Sequence, residues 1–328
     1  MLTLISRLLP AVAVSVASLL PGLAQAQSGG YPNKPVTLIV PYPAGGANDA
    51  VGRLIGQKMA EMLGQPVIVD NKPGAGTTIG AALAAKAAPD GYTIVLGSLA
   101  SHAVSPHLIA NAGYDAVKDF APIGLIGVAP IVATVNNASP YTSLKMLVDD
   151  AKKRPKDVMY GSAGNGSPLH LAGELFGQAA AVDMTHVPYK GGSAHTMDLI
   201  GGRLAVIFDT TTAAMPMIKG DKIRAIAVSS PTRLPELPNV STFAEAGYPG
   251  FEVSAWYALY APAKTPPDVV ARLSADLGKV MKMNEVDSKL RALAVKPSYG
   301  TSAELADFTQ SEFAKYGKVI KAASIKAD

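Results

Sequence analysis

The chain has 328 residues, of which 48% are hydrophobic and 16% charged, and its formal net charge is +4. This composition excludes a disordered chain and provides enough apolar material for two domains of ordinary size. Lysine and arginine are spread along the sequence without interleaved aromatic residues, so no nucleic-acid-binding surface is indicated. Cysteine is absent, and the stability of the protein therefore depends on its core rather than on disulfides.

Residues 1–26 have the pattern of an export signal. Arg7 precedes an apolar stretch from Leu8 to Leu20, and the small residues Ala24 and Ala26 stand where a signal peptidase reads the chain. A membrane anchor is the alternative, but a proline at each end of the apolar stretch disfavours it. We therefore expect cleavage after Ala26 and a mature protein in the periplasm that is not embedded in the membrane.

Strand-like and helix-like segments alternate through the first part of the mature chain. The predicted strands are 36–41, 66–71, 92–98 and one or two within 121–136, with helices over about 51–63 and 77–89 between them. These strands are almost entirely apolar instead of alternating. Such strands are typical of a parallel sheet that helices cover on both faces.

The alternation continues to residue 262, and the last stretch, 266–323, is mostly helical in pattern. Further helices are predicted over 143–154 and 168–180, and further strands at 157–162, 184–189, 204–210, 223–230 and 251–262. The sequence thus predicts an α/β fold with two sheet-forming lobes. If the helical tail packs on the first lobe, the chain crosses between lobes near 130 and near 254. Lobe 1 then comprises 27–130 and 255–328, and lobe 2 comprises 131–254.

The joint between the first strand and the first helix reads Pro-Tyr-Pro-Ala-Gly-Gly. Gly45 and Gly46 allow a ligand to approach the backbone N–H groups closely. The start of the following helix adds unpaired N–H groups and a partial positive charge, which together can bind an anion. A plain turn remains the alternative. Asp49 in the first helical turn is a candidate helix cap, whose charge would partly offset the anion site.

Residues 160–176 repeat this order of strand, glycine-containing loop and helix start in the second half of the chain. A Gly/Ser loop, 162–167, follows a strand, and Ser167 stands at the N-cap position before Pro168. Both loops fall beyond the carboxyl ends of strands, where ligands bind in open α/β sheets. Asp209, which ends another apolar strand, can either cap the next helix or hold a ligand amine or a water molecule.

Other motifs are weaker. Gly74, Gly76 and Gly80 form GxGxxxG, but the spacing differs from the dinucleotide fingerprint and no acid ends the next strand. The five histidines lack the spacing of metal ligands, so we expect neither a metal nor a cofactor. No GxSxG motif occurs. A secreted serine hydrolase with a histidine base is the alternative function, and its possible nucleophiles are Ser98, Ser101, Ser162 and Ser193.

Motifs along essentially the whole mature chain resemble those of a known family. They begin with YPNKPVTLIVPYPAGGANDAVGRLIGQKMAEMLGQPVIVDNKPGAG, continue with YGSAGNGSPLHLAGELF, VPYKGG and FDT, and end with KYGKVIKAASIK. The chain thereby resembles the Bug receptors, the extracytoplasmic solute receptors of tripartite tricarboxylate transporters. The resemblance implies a periplasmic binding protein of type II, with two doubly wound α/β lobes that close on a solute.

The resemblance also implies a ligand class and a partner. Family members bind small carboxylated solutes: dicarboxylates, tricarboxylates, amino acids or aromatic acids. Backbone N–H groups, hydroxyls and ordered waters hold the carboxylate in place of an arginine. We expect a monomer without enzymatic activity that delivers its solute to membrane transporter subunits, or that reports to a sensor kinase.

Carried over residue by residue, the resemblance identifies a carboxylate site in each lobe. The first-lobe residues are Tyr42, Pro43, Ala44, Gly45, Gly46, Ala47 and Asn48. The second-lobe residues are Ser162, Ala163, Gly164, Asn165, Gly166 and Ser167, with Asp209 nearby. Side chains expected to face the cleft and to set ligand identity also include Ser101, His102 and Tyr189. Two positions depart from the family pattern: Asn48 replaces the usual Thr, and Thr77 replaces a third Gly.

Overall fold

The computed structural model describes residues 30–165, 167–189, 194–251, 253–323 and 325. The predicted signal segment, 1–26, lies outside the described residues, as do the candidate ligand residue Gly166 and the candidate nucleophile Ser193.

Strands and helices of the described residues follow the predicted order. The strands are β1 (Val36–Val40), β2 (Val67–Asn71), β3 (Thr93–Ser98), β4 (Phe120–Asn136), β5 (Met159–Ser162), β6 (Thr185–Pro188), β7 (Val206–Thr210), β8 (Ile223–Val228), β9 (Ser254–Pro262) and β10 (Lys296–Gly300). The helices are α1 (Ala47–Leu63), α2 (Thr78–Ala85), α3 (Ser105–Leu108), α4 (Leu144–Lys153), α5 (Pro168–Ala180), α6 (Ala194–Ile200), α7 (Thr211–Lys219), α8 (Pro267–Val280), α9 (Asn284–Ala292) and α10 (Ser302–Ala322).

The sheet is mixed, which corrects the expectation of a parallel one. Its strand order is β2-β1-β3-β9-β4-β7-β5-β6, and β8 and β10 also pair with β4. Pairing is parallel between β1 and its neighbours β2 and β3, and between β5 and its neighbours β6 and β7. The central strands β4 and β9 pair antiparallel with each other and with the strands beside them. The apolar runs identified these segments correctly as strands but carried no information on their direction.

Strand β4 changes its partners in the middle. Its first part pairs with β9 as far as Pro130, which lies opposite Ser254, and its second part pairs with β7 and β8 from Ile131 onward. At the change, Ile131 N–H donates to Ser229 Oγ at 2.8 Å, and that hydroxyl donates to Val253 O at 2.5 Å. The change of partners falls where the sequence suggests a crossing between lobes, and the two-lobe division stays a prediction.

Strand β10 was missed by the sequence analysis. Its sequence, Lys-Pro-Ser-Tyr-Gly, lies in a stretch that was expected to be mostly helical and has no apolar alternation. It is a strand because Lys296 and Pro297 pair antiparallel with Val128 and Gly127 of β4. Tertiary pairing therefore overrides weak local propensity here.

Close packing of α1 on β1 positions the start of that helix. A Cβ atom on Gly52 would lie 2.8 Å from Cγ2 of Val40, so the helix can approach the strand this closely only with glycine there. Val51, Ile55 and Met59 of α1 are fully buried on the same sheet. The first turn of α1 is consequently held at the carboxyl end of β1.

The turn before α2 contains residues in the left-handed region. Ala75, Gly76 and Thr77 have φ angles of 43°, 57° and 83°. A side chain in this region costs about 1–2 kcal/mol, and β-branched residues are rare there. The family's usual glycine at the position of Thr77 is thus explained by the backbone. Thr77 is also 6% exposed, and its hydroxyl has no hydrogen-bond partner among the described residues.

Replacing Thr77 by glycine should stabilise the protein. We expect Thr77→Gly to raise the free energy of unfolding by about 1 kcal/mol, because it removes both the left-handed strain and a buried hydroxyl without a partner. The matched control is Thr78→Gly. Thr78 has helical angles (φ −67°, ψ −28°) and its hydroxyl donates to Ala75 O at 2.8 Å, so this variant should lose about 1 kcal/mol or more. Guanidinium unfolding of both variants measures the difference, and a loss at both positions would contradict the strain argument.

Candidate solute-binding site

The first loop, residues 42–48, runs from the end of β1 into α1. Gly46 is the N-cap residue and has no side-chain cap. The first helical hydrogen bond runs from Ala50 N–H to Gly46 O at 2.9 Å. The N–H groups of Ala47 and Asn48 precede this bond and have no partner inside the helix. They are therefore placed to donate to a ligand anion.

The two glycines of the first loop differ in what the backbone requires. Gly45 has φ +87°, in the left-handed region, so the turn explains this glycine. Gly46 has φ −86° and ψ 174°, which any residue adopts. A Cβ atom on Gly46 would meet nothing within 4 Å except Pro43 O at 3.9 Å. Neither the backbone conformation nor the packing of the protein requires glycine at position 46.

Asp49 ties the first loop to strand β2. Its Oδ2 accepts hydrogen bonds from Gly45 N–H and Arg53 Nε, both at 2.9 Å. Asn71 Nδ2 donates to Asp49 Oδ1 at 2.9 Å and to Tyr42 O at 3.0 Å. The carboxylate is 4% exposed, and the Arg53 guanidinium compensates its charge. Asp49 thus closes the loop through its hydrogen bond with Gly45. The ion pair with Arg53 reduces the effect that the Asp49 charge was expected to have on an anion at the start of α1.

The pKa of Asp49 reflects these contacts. Burial raises it, but the hydrogen bonds from Arg53, Gly45 and Asn71 together lower the pKa to about 2. The carboxylate therefore stays ionised at neutral pH.

A chain of polar side chains lies behind Tyr42. The Tyr42 hydroxyl is 2.7 Å from Ser98 Oγ, which is 3.3 Å from Ser101 Oγ, and Ser101 Oγ is 2.9 Å from His102 Nδ1. Burial raises the pKa of the Tyr42 hydroxyl above its ordinary value, although the hydrogen bond with Ser98 lowers it in part. Burial also lowers the pKa of His102 to about 3. All four groups are consequently neutral near pH 7.

Ser101 and His102 do not face a cleft. Both are 0% exposed, and the His102 ring stacks on Tyr260 at 4.1 Å between centroids. Neither side chain offers surface to a solute in this structure, so the expectation for these two residues is revised. Ser101 and His102 instead form the buried end of the polar chain that leads through Ser98 to the Tyr42 hydroxyl.

The second loop, residues 162–167, joins β5 to α5. Ser167 Oγ accepts a hydrogen bond from His170 N–H at 3.3 Å, so Ser167 is the N-cap that the sequence predicted. Gly164 has φ +124°, and a Cβ atom there would lie 3.0 Å from Tyr189 O. Ala163 and Asn165 are half-buried in the same loop. The loop is therefore shaped by its own glycine and by the neighbouring β6 end.

Ser162 holds this loop from beneath. It is 0% exposed, and its Oγ accepts from Gly164 N–H at 3.1 Å and lies 2.6 Å from His186 Nε2. The His186 ring stacks on His170 with centroids 3.7 Å apart, and His170 Nε2 lies 3.7 Å from Glu174 Oε1. Ser162 thus orients the loop backbone and presents no surface of its own.

Tyr189 contacts the second loop, and Asp209 contacts His195. Tyr189 N–H donates to Ser162 O at 3.1 Å. The Tyr189 hydroxyl donates to Asp198 at 2.6 Å, and burial together with this bond raises its pKa to about 12. Asp209 Oδ2 lies 3.4 Å from Nε2 of His195, a buried residue that the sequence analysis did not connect with Asp209.

The helix after Asp209 is capped by its neighbour. Thr210 Oγ1 accepts from Ala213 N–H at 3.3 Å and is the N-cap of α7. Asp209 Oδ1 accepts only from the N–H of Thr210, at 2.7 Å, among the hydrogen bonds found for this oxygen in the described residues. The interpretation of Asp209 as the cap is therefore wrong.

A cavity of about 420 Å³ adjoins the first loop. Its lining comes from the first loop and α1, from α7, and from the end of α9 with the residues after it. The lining residues are Gly45, Gly46, Ala47, Ala50, Thr212, Met215, Pro216, Lys219, Ala292, Leu293 and Ala294. Thr211 Oγ1 donates to Ala294 O at 2.9 Å and joins two of these segments. The structure thus brings the first loop together with α7, which the sequence did not predict, and no described residue of the second loop is in the lining.

Comparison with known proteins decides the family. The family model described as the tripartite tricarboxylate transporter family receptor matches residues 51–325. This chain belongs to that receptor family. The receptor is 32% identical over 323 residues to protein BugT of Bordetella pertussis, with 98% of each chain covered.

Solved structures agree with this assignment. The receptor is 34% identical to the R. palustris protein Rpa4515 in its structure with adipate, with a TM-score of 0.81 and coverage of 91% of this chain and 100% of that one. It is 32% identical to MatC from Rhodopseudomonas palustris with bound malate, with a TM-score of 0.77 and coverage of 88% and 100%. The predicted Bug-type family and the α/β periplasmic binding protein fold are confirmed.

The family and its structural neighbours are solute receptors and not enzymes. The serine hydrolase alternative is therefore wrong, and three of its four candidate nucleophiles, Ser98, Ser101 and Ser162, are buried. Within the described ranges, no group of three or more His, Cys, Asp or Glu side chains could hold a metal ion. None of the helices found there is long and apolar enough to cross a membrane.

Neutralising Asp49 should change how stability depends on pH. The folded pKa of about 2 lies below the value of about 3.9 in an unfolded chain. The ionised carboxylate therefore stabilises the fold fully above pH ~4, and this contribution is lost as the pH falls towards 2. We expect Asp49→Asn to lower the free energy of unfolding by about 1–2 kcal/mol at pH 7, with a difference from the wild type that shrinks between pH 4 and 2.

The control is Asp307→Asn, at an exposed position on α10 without an ion pair in the described part of the chain. Urea unfolding from pH 7 to pH 2 measures both variants against the wild type. A difference for Asp49→Asn that stays constant over this range would contradict the proposed role of the ionised carboxylate.

Proposed function

We propose that this receptor captures a small carboxylated solute in the periplasm, between two lobes, and delivers it to the membrane subunits of a tripartite transporter. The observation that carries the proposal is Gly46, whose glycine identity is required neither by the backbone nor by packing. It stands at the start of α1, where N–H groups and the helix dipole favour an anion.

The energies are sufficient without an arginine in contact with the solute. A hydrogen bond to a charged group contributes about 1.5–3 kcal/mol, and a helix end contributes about 0.3–1 kcal/mol. A micromolar complex has a binding free energy of roughly −8 kcal/mol. Three or four such donors can supply this amount even though part of their interaction energy is used to close the lobes. Asn48 supplies an amide donor where the family usually has a hydroxyl.

The second loop provides the opposing contacts in this proposal. The capped start of α5 at Ser167 offers a second set of helix N–H groups, and Tyr189 is hydrogen-bonded to the same loop. Lobe 1 comprises 27–130 and 255–328, and lobe 2 comprises 131–254. The change of strand partners at Pro130 and Ile131 supports a hinge at this boundary.

The ligand class and the partner follow from the relatives. Adipate and malate, named with two relatives, are both dicarboxylates, which favours this class over amino acids and aromatic acids. The family description supports a membrane transporter as the partner over a sensor kinase. The chain is exported, is cleaved after Ala26 and acts as a monomer in this proposal.

A thermal-shift panel on the mature protein tests the ligand class. Dicarboxylates, tricarboxylates, amino acids and aromatic acids are added separately, and a ligand at 100 times its Kd adds about 2.7 kcal/mol to the stability. We expect the largest shifts from dicarboxylates. No response to any carboxylate would overturn the proposal.

Gly46→Val tests the binding site itself. Valine favours the extended conformation of this residue, and its Cβ meets no clash, so we expect the fold to be retained. Because valine is a poorer N-cap than glycine, a loss of stability of up to about 1 kcal/mol is expected. The side chain should occupy the space of the ligand and abolish the carboxylate-induced shift. Gly45→Ala is the contrasting variant: its φ of +87° predicts a loss of about 1–2 kcal/mol in stability. Full carboxylate binding by a well-folded Gly46→Val variant would refute the assignment of the first loop.

A further inference from the structure

The cavity beside the first loop contains one charged side chain among its described lining residues, and it is Lys219. Lys219 lies in the last turn of α7 and is exposed. No Asp or Glu of the described ranges forms an ion pair with it, in contrast to Lys58, whose Nζ lies 2.8 Å from Glu285. The ammonium group is thus available to a ligand in the cavity.

The lining combines two positive groups with apolar side chains. The start of α1 at Gly46 and Ala47 contributes N–H donors and a partial positive charge. Lys219 contributes a second positive group, and apolar residues such as Met215, Pro216 and Leu293 also line the cavity. No acidic residue lines it among the described residues. This composition suits a molecule that carries two anionic groups and an apolar part.

We propose that Lys219 binds the second carboxylate of a linear dicarboxylate whose first carboxylate occupies the start of α1. The residue then acts as a specificity determinant: it distinguishes dicarboxylates from monocarboxylates of the same length. This inference rests on the proposed function, because it assumes that the first loop binds a carboxylate. A purely structural role, in which Lys219 only stabilises the end of α7 through the helix dipole, would not distinguish between the two kinds of ligand.

The test compares two ligands on two variants of the mature protein. Adipate and hexanoate have the same six-carbon chain and differ in one carboxylate, and succinate and butyrate form a shorter pair. We expect Lys219→Gln to weaken adipate or succinate binding about tenfold in titration calorimetry at low salt, as for the loss of one charge-assisted hydrogen bond. Hexanoate and butyrate binding should change less than about twofold, and raising the salt concentration should reduce the effect on the dicarboxylates.

Lys222→Gln is the matched control, since it removes the same charge three residues further on, outside the cavity lining. It should leave all four affinities unchanged. Equal weakening of mono- and dicarboxylates by Lys219→Gln, or no weakening beyond that of Lys222→Gln, would overturn the inference. If the monocarboxylates bind too weakly to titrate, the dicarboxylate difference between the two variants decides.

The failure of this inference can be separated from failure of the proposed function. If the wild-type protein binds none of the four acids and no other carboxylate in the thermal-shift panel, the proposed function fails and the role of Lys219 fails with it. If the wild type binds dicarboxylates and Lys219→Gln leaves their affinity intact, the role of Lys219 alone is refuted.

Discussion

The long strand β4 is the constraint on which the rest of the fold depends. Its first part completes the sheet that includes β9, β3 and β1, and its second part completes the sheet that includes β7 and β5. The first loop follows β1 and the second loop follows β5, so both are connected to β4 through backbone hydrogen bonds. Ser229 satisfies the backbone of Ile131 and Val253 where the partners change, because buried polar groups there cannot be left unpaired.

Each loop is held by side chains beneath it, which leaves backbone donors at its surface. Under the first loop, the ionised Asp49 is bound by Gly45, Arg53 and Asn71. The Arg53 guanidinium pairs with its charge, which limits how far Asp49 weakens the positive end of α1. Under the second loop, Ser162 and His186 play the corresponding part through side-chain hydrogen bonds. A rigid support of this kind reduces the entropy that a ligand must overcome when it binds.

The two departures from the family pattern differ in their physical consequences. Thr77 occupies a left-handed position that suits glycine, so the threonine lowers the stability of the protein. Thr77 is not among the residues that line the cavity. Asn48 changes a side chain in the first loop itself, at the start of α1. Lys219 belongs to neither motif, yet it lines the same cavity as Gly46.

The sequence by itself determined the features that depend on neighbouring residues. Helix α5 begins at Pro168 behind its cap Ser167, and the glycine-containing loops follow β1 and β5, because capping and turn conformation are local. Only the tertiary structure decided the antiparallel centre of the sheet, strand β10 and the burial of Ser101 and His102. It also placed Lys219 beside the first loop. These features depend on contacts between residues far apart in the chain, on which local spacing carries no information.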